Sequence, residues 1–351
     1  MKILLLGKAG SIIHLIEDVA GDLRMAGHIV TIVPTRNPLM NKSVERVLLS
    51  PAIGAPLAMR IARKIRRPGA DLIVMLGDLD TFPKIVLETI ANTPGRPPLI
   101  AWIGDRFTDQ AASVANLFDI VAYTDTGLRE LHRRFGFRST DAFVPLGATR
   151  AVRRLDVSPG RASELAFVAA PTQNRRELLA GITQPIAIFG PGWQGAKELV
   201  HHSRDTRRIH EQELARIYAR HMGVLNVRHS RNVLNGLNQR HFAPYIQGTA
   251  AVTDPQSDLR FCFDEGKEIL VYQDTDELNE LYAALRRDPA RAVAIGLAGQ
   301  RRVLACHTYA HRFDTLAGLA GVKTTGTRRH EVAAGQGLLQ ASFANISRRR
   351  A

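Results

Sequence analysis

The residues best suited to chemistry in this chain lie between Asn238 and Asp254, in the stretch NQRHFAPYIQGTAAVTD. Asn238 and Arg240 form a polar tip ahead of an apolar segment with Phe242, Tyr245 and Ile246. Gly248 and a short apolar run follow, closed by Asp254. Polar tip, helical segment, glycine and buried strand is the order of an α/β unit whose helix start faces a ligand. A helix start offers unpaired N–H groups and the positive end of a dipole, both suited to phosphate. Arg240 adds a planar fork able to hold two phosphate oxygens. The pair Arg175-Arg176 offers a second cation, and the residue types do not say which of the two points inward. Glycines at Gly7, Gly10, Gly190 and Gly192 would let a phosphate or base approach the backbone closely. Trp193, next to the last of these, suits a core and a base-stacking surface equally.

Proton transfer needs a titratable group beside the reacting atom. Asp105 and Asp78 each follow an apolar run, where a carboxylate borders a ligand crevice, although an Asp there is also a common helix cap. His14, early in the first helix and off its apolar face, is the third candidate. Other chemistries fit poorly. The Gly7 loop is not Gly-x-Gly-x-x-Gly, and Pro34-Thr35-Arg36 lacks the acidic ribose ligand of a dinucleotide site. Lys8 has neither the upstream glycine nor the following Ser/Thr of a P-loop. His307 and His311 have the i,i+4 spacing of a helical zinc pair, but no third ligand accompanies them, so no metal is expected.

These residues must be positioned by the apolar runs between them. Runs at 2–6, 29–33, 71–76, 99–103, 120–123 and 142–146 alternate with helical patterns, and a second series follows at 165–169, 186–189, 224–227, 250–253 and 269–272. Alternating strand and helix over 351 residues predicts two α/β domains with parallel sheets. The expected bounds are 1–150, 151–322 after a linker at Arg150–Arg161, and a tail over 323–351. The opening MKILLLG is expected to be the first strand and not a signal peptide. Asp274 with Glu277 forms a capping pair ahead of Leu278, Leu281, Tyr282 and Leu285.

Composition is that of a soluble globular protein, with 45% hydrophobic and 23% charged residues and no apolar run of spanning length. Two distant cysteines, Cys262 and Cys306, fit a reducing cytoplasm. Of the net charge of +14, +5 falls on the last 29 residues, where Lys323, Arg328, Arg329 and Arg348–Arg350 stand against Glu331. Such a tail attracts anionic lipid or nucleic acid without sequence preference, or is a solvated end. No specific nucleic-acid partner is expected.

The motifs together resemble the CgeB-like (spore maturation protein-like) group of GT-B glycosyltransferases. The Asn-x-Arg-x-Phe motif matches at Asn238, Arg240 and Phe242, with Gly248 and Asp254 beyond it. Trp102-Ile103-Gly104-Asp105, Phe135-Gly136-Phe137, Val144-Pro145-Leu146-Gly147, Arg175-Arg176, Gly190-Pro191-Gly192-Trp193, Leu225-Asn226 and His307-Thr308-Tyr309 with Arg312 match in order. The resemblance implies two Rossmann-like domains with parallel sheets facing a central cleft, the first on the acceptor side and the second binding a nucleotide sugar. The implied activity is metal-independent transfer of a sugar to a glycan, lipid-linked or protein acceptor. The nucleotide sugar is the substrate, with no separate cofactor. Donor contacts fall on Gly7, Gly10, Arg176 (or Arg175), Gly190, Gly192, Trp193, Asn238, Arg240 and Phe242, and the base on Asp105, Asp78 or His14. A cytoplasmic location is implied as well, with the basic tail available to anionic lipid at the inner membrane face.

The pattern departs from the family at Ala243, where a glutamate would accept hydrogen bonds from ribose hydroxyls. Another acidic residue supplies that contact, or the donor is unusual, or catalysis is lost. Two further readings share the fold: a nucleotide-sugar epimerase and a non-catalytic binding or surface-assembly protein.

Overall fold

The apolar runs pair side by side into two parallel sheets. The computed structural model describes residues 1–7, 15–34, 69–79, 84–152, 154–155, 160–209, 211–229 and 232–323, with isolated positions 56, 59 and 63. The first sheet contains β1 (Lys2–Gly7), β2 (Ile29–Pro34), β3 (Leu72–Gly77), β4 (Leu99–Ile103), β5 (Ile120–Tyr123) and β6 (Thr140–Phe143). Its order is β2-β1-β3-β4-β5-β6, with every pairing parallel. Helices α1 (Leu15–Met25), α2 (Lys84–Ala91), α3 (Ala112–Ala115) and α4 (Thr126–Arg134) connect these strands. Parallel strands are covered on both faces, which is why β4 is apolar and buried at all five positions.

The second sheet contains β7 (Ala162–Val168), β8 (Ile186–Phe189), β9 (Ser203–Asp205), β10 (His221–Asn226), β11 (Ala250–Thr253) and β12 (Leu270–Val271). Its order is β12-β11-β10-β7-β8-β9, again parallel throughout. Helices α5 (Gln173–Ala180), α6 (Glu211–Arg220), α7 (Ala243–Ile246), α8 (Thr275–Arg287) and α9 (Pro289–Cys306) belong to it, and α10 (Tyr309–Leu319) ends the described chain. The Asp274 cap forms as expected, its side chain accepting from Glu277 N at 2.9 Å. Strand β9, polar and three residues long, was not anticipated. Strand β6 begins and ends earlier than expected; Val144 still donates its N–H to Tyr123 O of β5 at 2.8 Å, but its carbonyl turns to accept from Trp102 Nε1 at 2.7 Å.

Packing divides the chain into two units, and the division crosses the backbone more than once. One unit comprises the described residues of Met1–Pro145, Arg231–Gly236 and Tyr309–Arg329; the other, those of Leu146–Ser230 and Leu237–Thr308. A single linker near 150 would leave α10 with the second sheet. Instead α10 packs on α1, and Asp22 Oδ2 accepts from Ala310 N at 2.7 Å. The rings of Tyr309 and Phe313 meet Trp102 edge-on at 6.2 and 6.0 Å.

The segment before Gly236 joins the first unit through Asp125, the N-cap of α4. Its carboxylate accepts from Gly127 N at 2.7 Å, Leu128 N at 3.4 Å, Leu234 N at 2.8 Å and Asn235 N at 3.0 Å. Two glycines permit the approach. A Cβ on Gly127 would lie 2.6 Å from Leu234 Cβ, and one on Gly236 would lie 2.7 Å from Asp125 Cβ.

Candidate functional site

In an open parallel sheet the ligand crevice opens at the carboxyl ends of the two strands where winding reverses. In the second sheet those strands are β7 and β10, adjacent in space and leading the chain outward in opposite directions. Arg175, in the first turn of α5, lies across this point. Its Nη1 donates to Ala170 O at 2.9 Å beyond β7, while Nε and Nη2 donate to Val227 O at 3.2 and 3.0 Å beyond β10. Its guanidinium carbon stands 6.0 Å from the centroid of the Phe167 ring. Burial, then the charge of Arg240, lowers its pKa to about 10, with Asp254 opposing. Arg176 takes the other side of the helix and forms a two-point ion pair with Glu198, at 2.7 and 3.0 Å. The residue at the crevice is therefore Arg175.

Beside it, Asn226 ends β10 fully buried and organises the Asn-x-Arg tip. Its Oδ1 accepts from Arg240 Nε at 3.1 Å and Asn238 Nδ2 at 3.2 Å, and its NH₂ faces the His241 ring. Asn238 caps the short turn Gln239–His241 by accepting from Arg240 N at 2.9 Å, and its own N–H donates to His241 Nδ1 at 3.1 Å. His241 Nε2 lies 3.0 Å from Thr253 Oγ1 at the end of β11. Burial holds His241 neutral, its pKa lowered to about 3. Burial also lowers the pKa of Arg240, a half-buried side chain. The aligned ends of β10 and β11, in register at Asn226 and Thr253, thus fix the tip.

Asp254 comes directly after β11. Its Oδ1 accepts from Arg228 N at 3.0 Å and Gln256 Nε2 at 3.2 Å, and Arg228 Nε stands 3.6 Å from Oδ2. Burial pushes the Asp254 carboxyl up, with the Arg228 contacts opposing. Three guanidiniums and one carboxylate at one crevice leave a net positive site.

Two aromatic candidates lie elsewhere. Trp193 is fully buried, donates to Ala169 O at 2.7 Å and packs edge-on against Phe167, so it is core and cannot stack on a base. Phe242 is equally enclosed, against Phe263 and His307. Gly190 and Gly192 have φ of +125° and +96°, so a turn that only glycine adopts easily carries the chain past Ala169. Ala243 opens α7 and packs against an apolar cluster of Ala166, Ile217, Tyr218 and Val224. The signal missed in the sequence was His241, three residues after the Asn238 cap; Asn226 was marked there only as part of the Leu225-Asn226 match, without a role.

In the first unit the reversal lies between β1 and β3. Gly7 ends β1 in register with Leu76, and a Cβ there would lie 3.1 Å from Leu76 O. Asp78 stands just past β3 and Asp105 just past β4, so both carboxylates reach the same end of this sheet. Asp105 Oδ1 accepts from Asn232 Nδ2 at 3.2 Å. Gly10, His14 and the tail beyond Lys323 lie outside the described residues. His307 Nε2 is 2.8 Å from Cys262 O, and no metal-binding cluster occurs among the described residues. Nor is any described helix long and apolar enough to cross a membrane.

Residues 167–318, from β7 into α10, match a family model described as glycosyl transferase-like. The structure superposes on Anabaena HepE in complex with UDP and glucose with a TM-score of 0.63 and 14% identity, covering 92% of this chain and 99% of that one. The fold is GT-B. Sucrose-phosphate synthase from Thermosynechococcus elongatus superposes with a TM-score of 0.64 and 13% identity, over 91% of this chain and 98% of its own. A glycosyltransferase from Rickettsia africae does so with a TM-score of 0.64 and 8% identity, over 91% and 97%. No curated protein matches the sequence. At these identities the superpositions establish the GT-B architecture, and the matched model shows residues 167–318 to be similar to glycosyl transferases.

Proposed function

We propose that this chain is a glycosyltransferase that takes a sugar from a nucleoside-diphosphate sugar, with the second unit holding the donor. The observation that carries the reading is Arg175 lying across the reversal point between β7 and β10, with Arg240 beside it. As the bond to the sugar breaks, charge builds on the diphosphate, and fixed cations there stabilise it without reorganising. Arg175 uses three of its five N–H groups on carbonyls, leaving two for phosphate oxygens. Arg240, held at Nε by Asn226, presents its two Nη groups.

Further details belong to the same proposal. HepE is seen with UDP and with UDP-glucose, which supports UDP as the nucleotide to test first. The arginines support leaving-group stabilisation without a metal or separate cofactor. The ordered motifs support the CgeB-like branch. The first unit would receive the acceptor, a glycan, lipid-linked or protein hydroxyl, with Asp105, Asp78 or His14 as base. The basic tail supports a cytoplasmic protein that touches anionic lipid at the inner membrane face.

Calorimetry of the whole chain with UDP, GDP and dTDP, followed by release of nucleoside diphosphate from the corresponding sugars, tests the reading. Binding of one diphosphate, with acceptor-stimulated release, is expected. Failure of all three to bind would defeat it.

A further inference from the structure

The loop after β11 contains an acceptor atom that the protein does not satisfy. Gln256 is only 6% exposed, and its Nε2 donates to Asp254 Oδ1 at 3.2 Å. That bond orients the amide, because reversing it would set Oε1 against a carboxylate oxygen. Oε1 is enclosed and meets no hydrogen-bond donor. Buried polar atoms are nearly always bonded, so an acceptor of this kind costs folding free energy unless something else supplies a donor.

The surroundings specify that donor. The crevice has a cationic part, Arg175, Arg240 and Arg228, and an acceptor part, Asp254 and Gln256. A phosphate oxygen suits the first and is repelled by the second, whereas a hydroxyl can donate to an amide oxygen. A hydroxyl acceptor is also what position 243 lacks. Ala243 lies partly buried against Ile217, Tyr218 and Val224 and offers no acceptor.

We propose that Gln256 Oε1 accepts a hydrogen bond from a hydroxyl of the bound nucleotide sugar, and that Gln256 thereby sets donor specificity in place of a carboxylate at 243. This rests on the donor-binding reading above. Its neighbours Pro255 and Ser257 are exposed, so this stretch of the loop runs at the protein surface.

The hydroxyl belongs either to the ribose or to the transferred sugar, and four ligands separate the two: UDP, its 2′-deoxy and 3′-deoxy analogues, and UDP-glucose. The wild-type chain is expected to bind UDP about tenfold tighter than whichever deoxy analogue lacks the bonded hydroxyl, or UDP-glucose about tenfold tighter than UDP, the size of one hydrogen bond in affinity. Gln256→Met, similar in length but without the amide, should collapse whichever ratio is large and leave affinity for the ligand lacking the hydroxyl nearly unchanged. Gln256→Glu keeps an acceptor and should keep the ratio at lower overall affinity. Should Gln256→Met not fold, the wild-type ratios and Gln256→Glu still decide. Equal wild-type affinities for all four ligands would overturn the proposal while leaving nucleotide binding intact. So would wild-type ratios that persist in Gln256→Met, or a uniform loss across the ligands. A wild type that binds none of them defeats the donor-binding reading, and this inference with it.

Discussion

The two units share a plan: six parallel strands, with the winding reversed between two neighbours inside each sheet. They differ in what stands at the carboxyl ends. In the second unit Asn226, His241 and Thr253 form a buried hydrogen-bonded chain, with Arg175 fixed on backbone carbonyls and Asp254 on Arg228 N beside it. In the first, Asp78 and Asp105 stand half-buried and exposed at adjacent strand ends. A fixed cationic network suits holding a charged leaving group, whereas accessible carboxylates suit accepting a proton from an incoming hydroxyl. On the proposed function, one plan carries two chemistries, set by the few residues just beyond each strand.

The strongest way to break this comparison is to remove the carboxylates. Asp105→Asn or Asp78→Asn should lower kcat roughly 10²- to 10⁴-fold at whichever residue is the base, with UDP affinity unchanged. Single-turnover kinetics with calorimetry checks it, and a loss of UDP affinity would blur the division between units. Asp125→Ala, which strips four N–H groups of their shared acceptor, should cost about 3 kcal/mol of stability in urea unfolding. Arg240→Ala should weaken UDP by about 1.5–3 kcal/mol, roughly ten- to a hundredfold, without unfolding the chain; calorimetry on the folded variant measures it.

Acidification sharpens the comparison on the second unit. His241 titrates near 6.5 when unfolded and at about 3 when folded, so between those values the unfolded chain binds the extra proton. Stability from this group is complete above about pH 6.5 and falls as pH drops, by up to about 1.4 kcal/mol per unit. Replacing His241 by Gln should flatten urea-unfolding free energies across pH 6.5 to 4, and an unchanged slope would refute the assignment. The smallest effect is expected from Ala243→Glu. Placed against the Ile217 and Tyr218 cluster, the new carboxylate should cost about 1 kcal/mol of stability and not improve UDP binding. A gain in UDP affinity would return the hydroxyl contact to position 243.

Much of this was legible in the sequence. The apolar runs of parallel strands are unmistakable because both faces are covered, and Asn238, Arg240 and Asp254 were marked by their order around Gly248. The rest depends on directions and distances that the sequence does not carry. Arg175 and Arg176 differ only in which way a helix turns them. Trp193 became core because Ala169 O takes its N–H. Strand β9 is too short and polar to give a periodic signal. The placement of α10 rests on contacts such as Ala310 with Asp22, which lie 288 residues apart.

That last helix and the segment clamped by Asp125 also bear on how the gene for this protein can be divided. A fragment ending near 150 would lack α10, uncovering Trp102 and leaving the Asp22 carboxylate without its Ala310 partner. It would also lack the residues whose N–H groups occupy Asp125. A fragment beginning there would carry those pieces with nothing to receive them. Expression of either half alone should give insoluble or loosely folded material. Chimaeras that exchange one unit for a relative's must be stitched at every backbone crossing, so this GT-B protein is heritable as a single block even though it packs as two units.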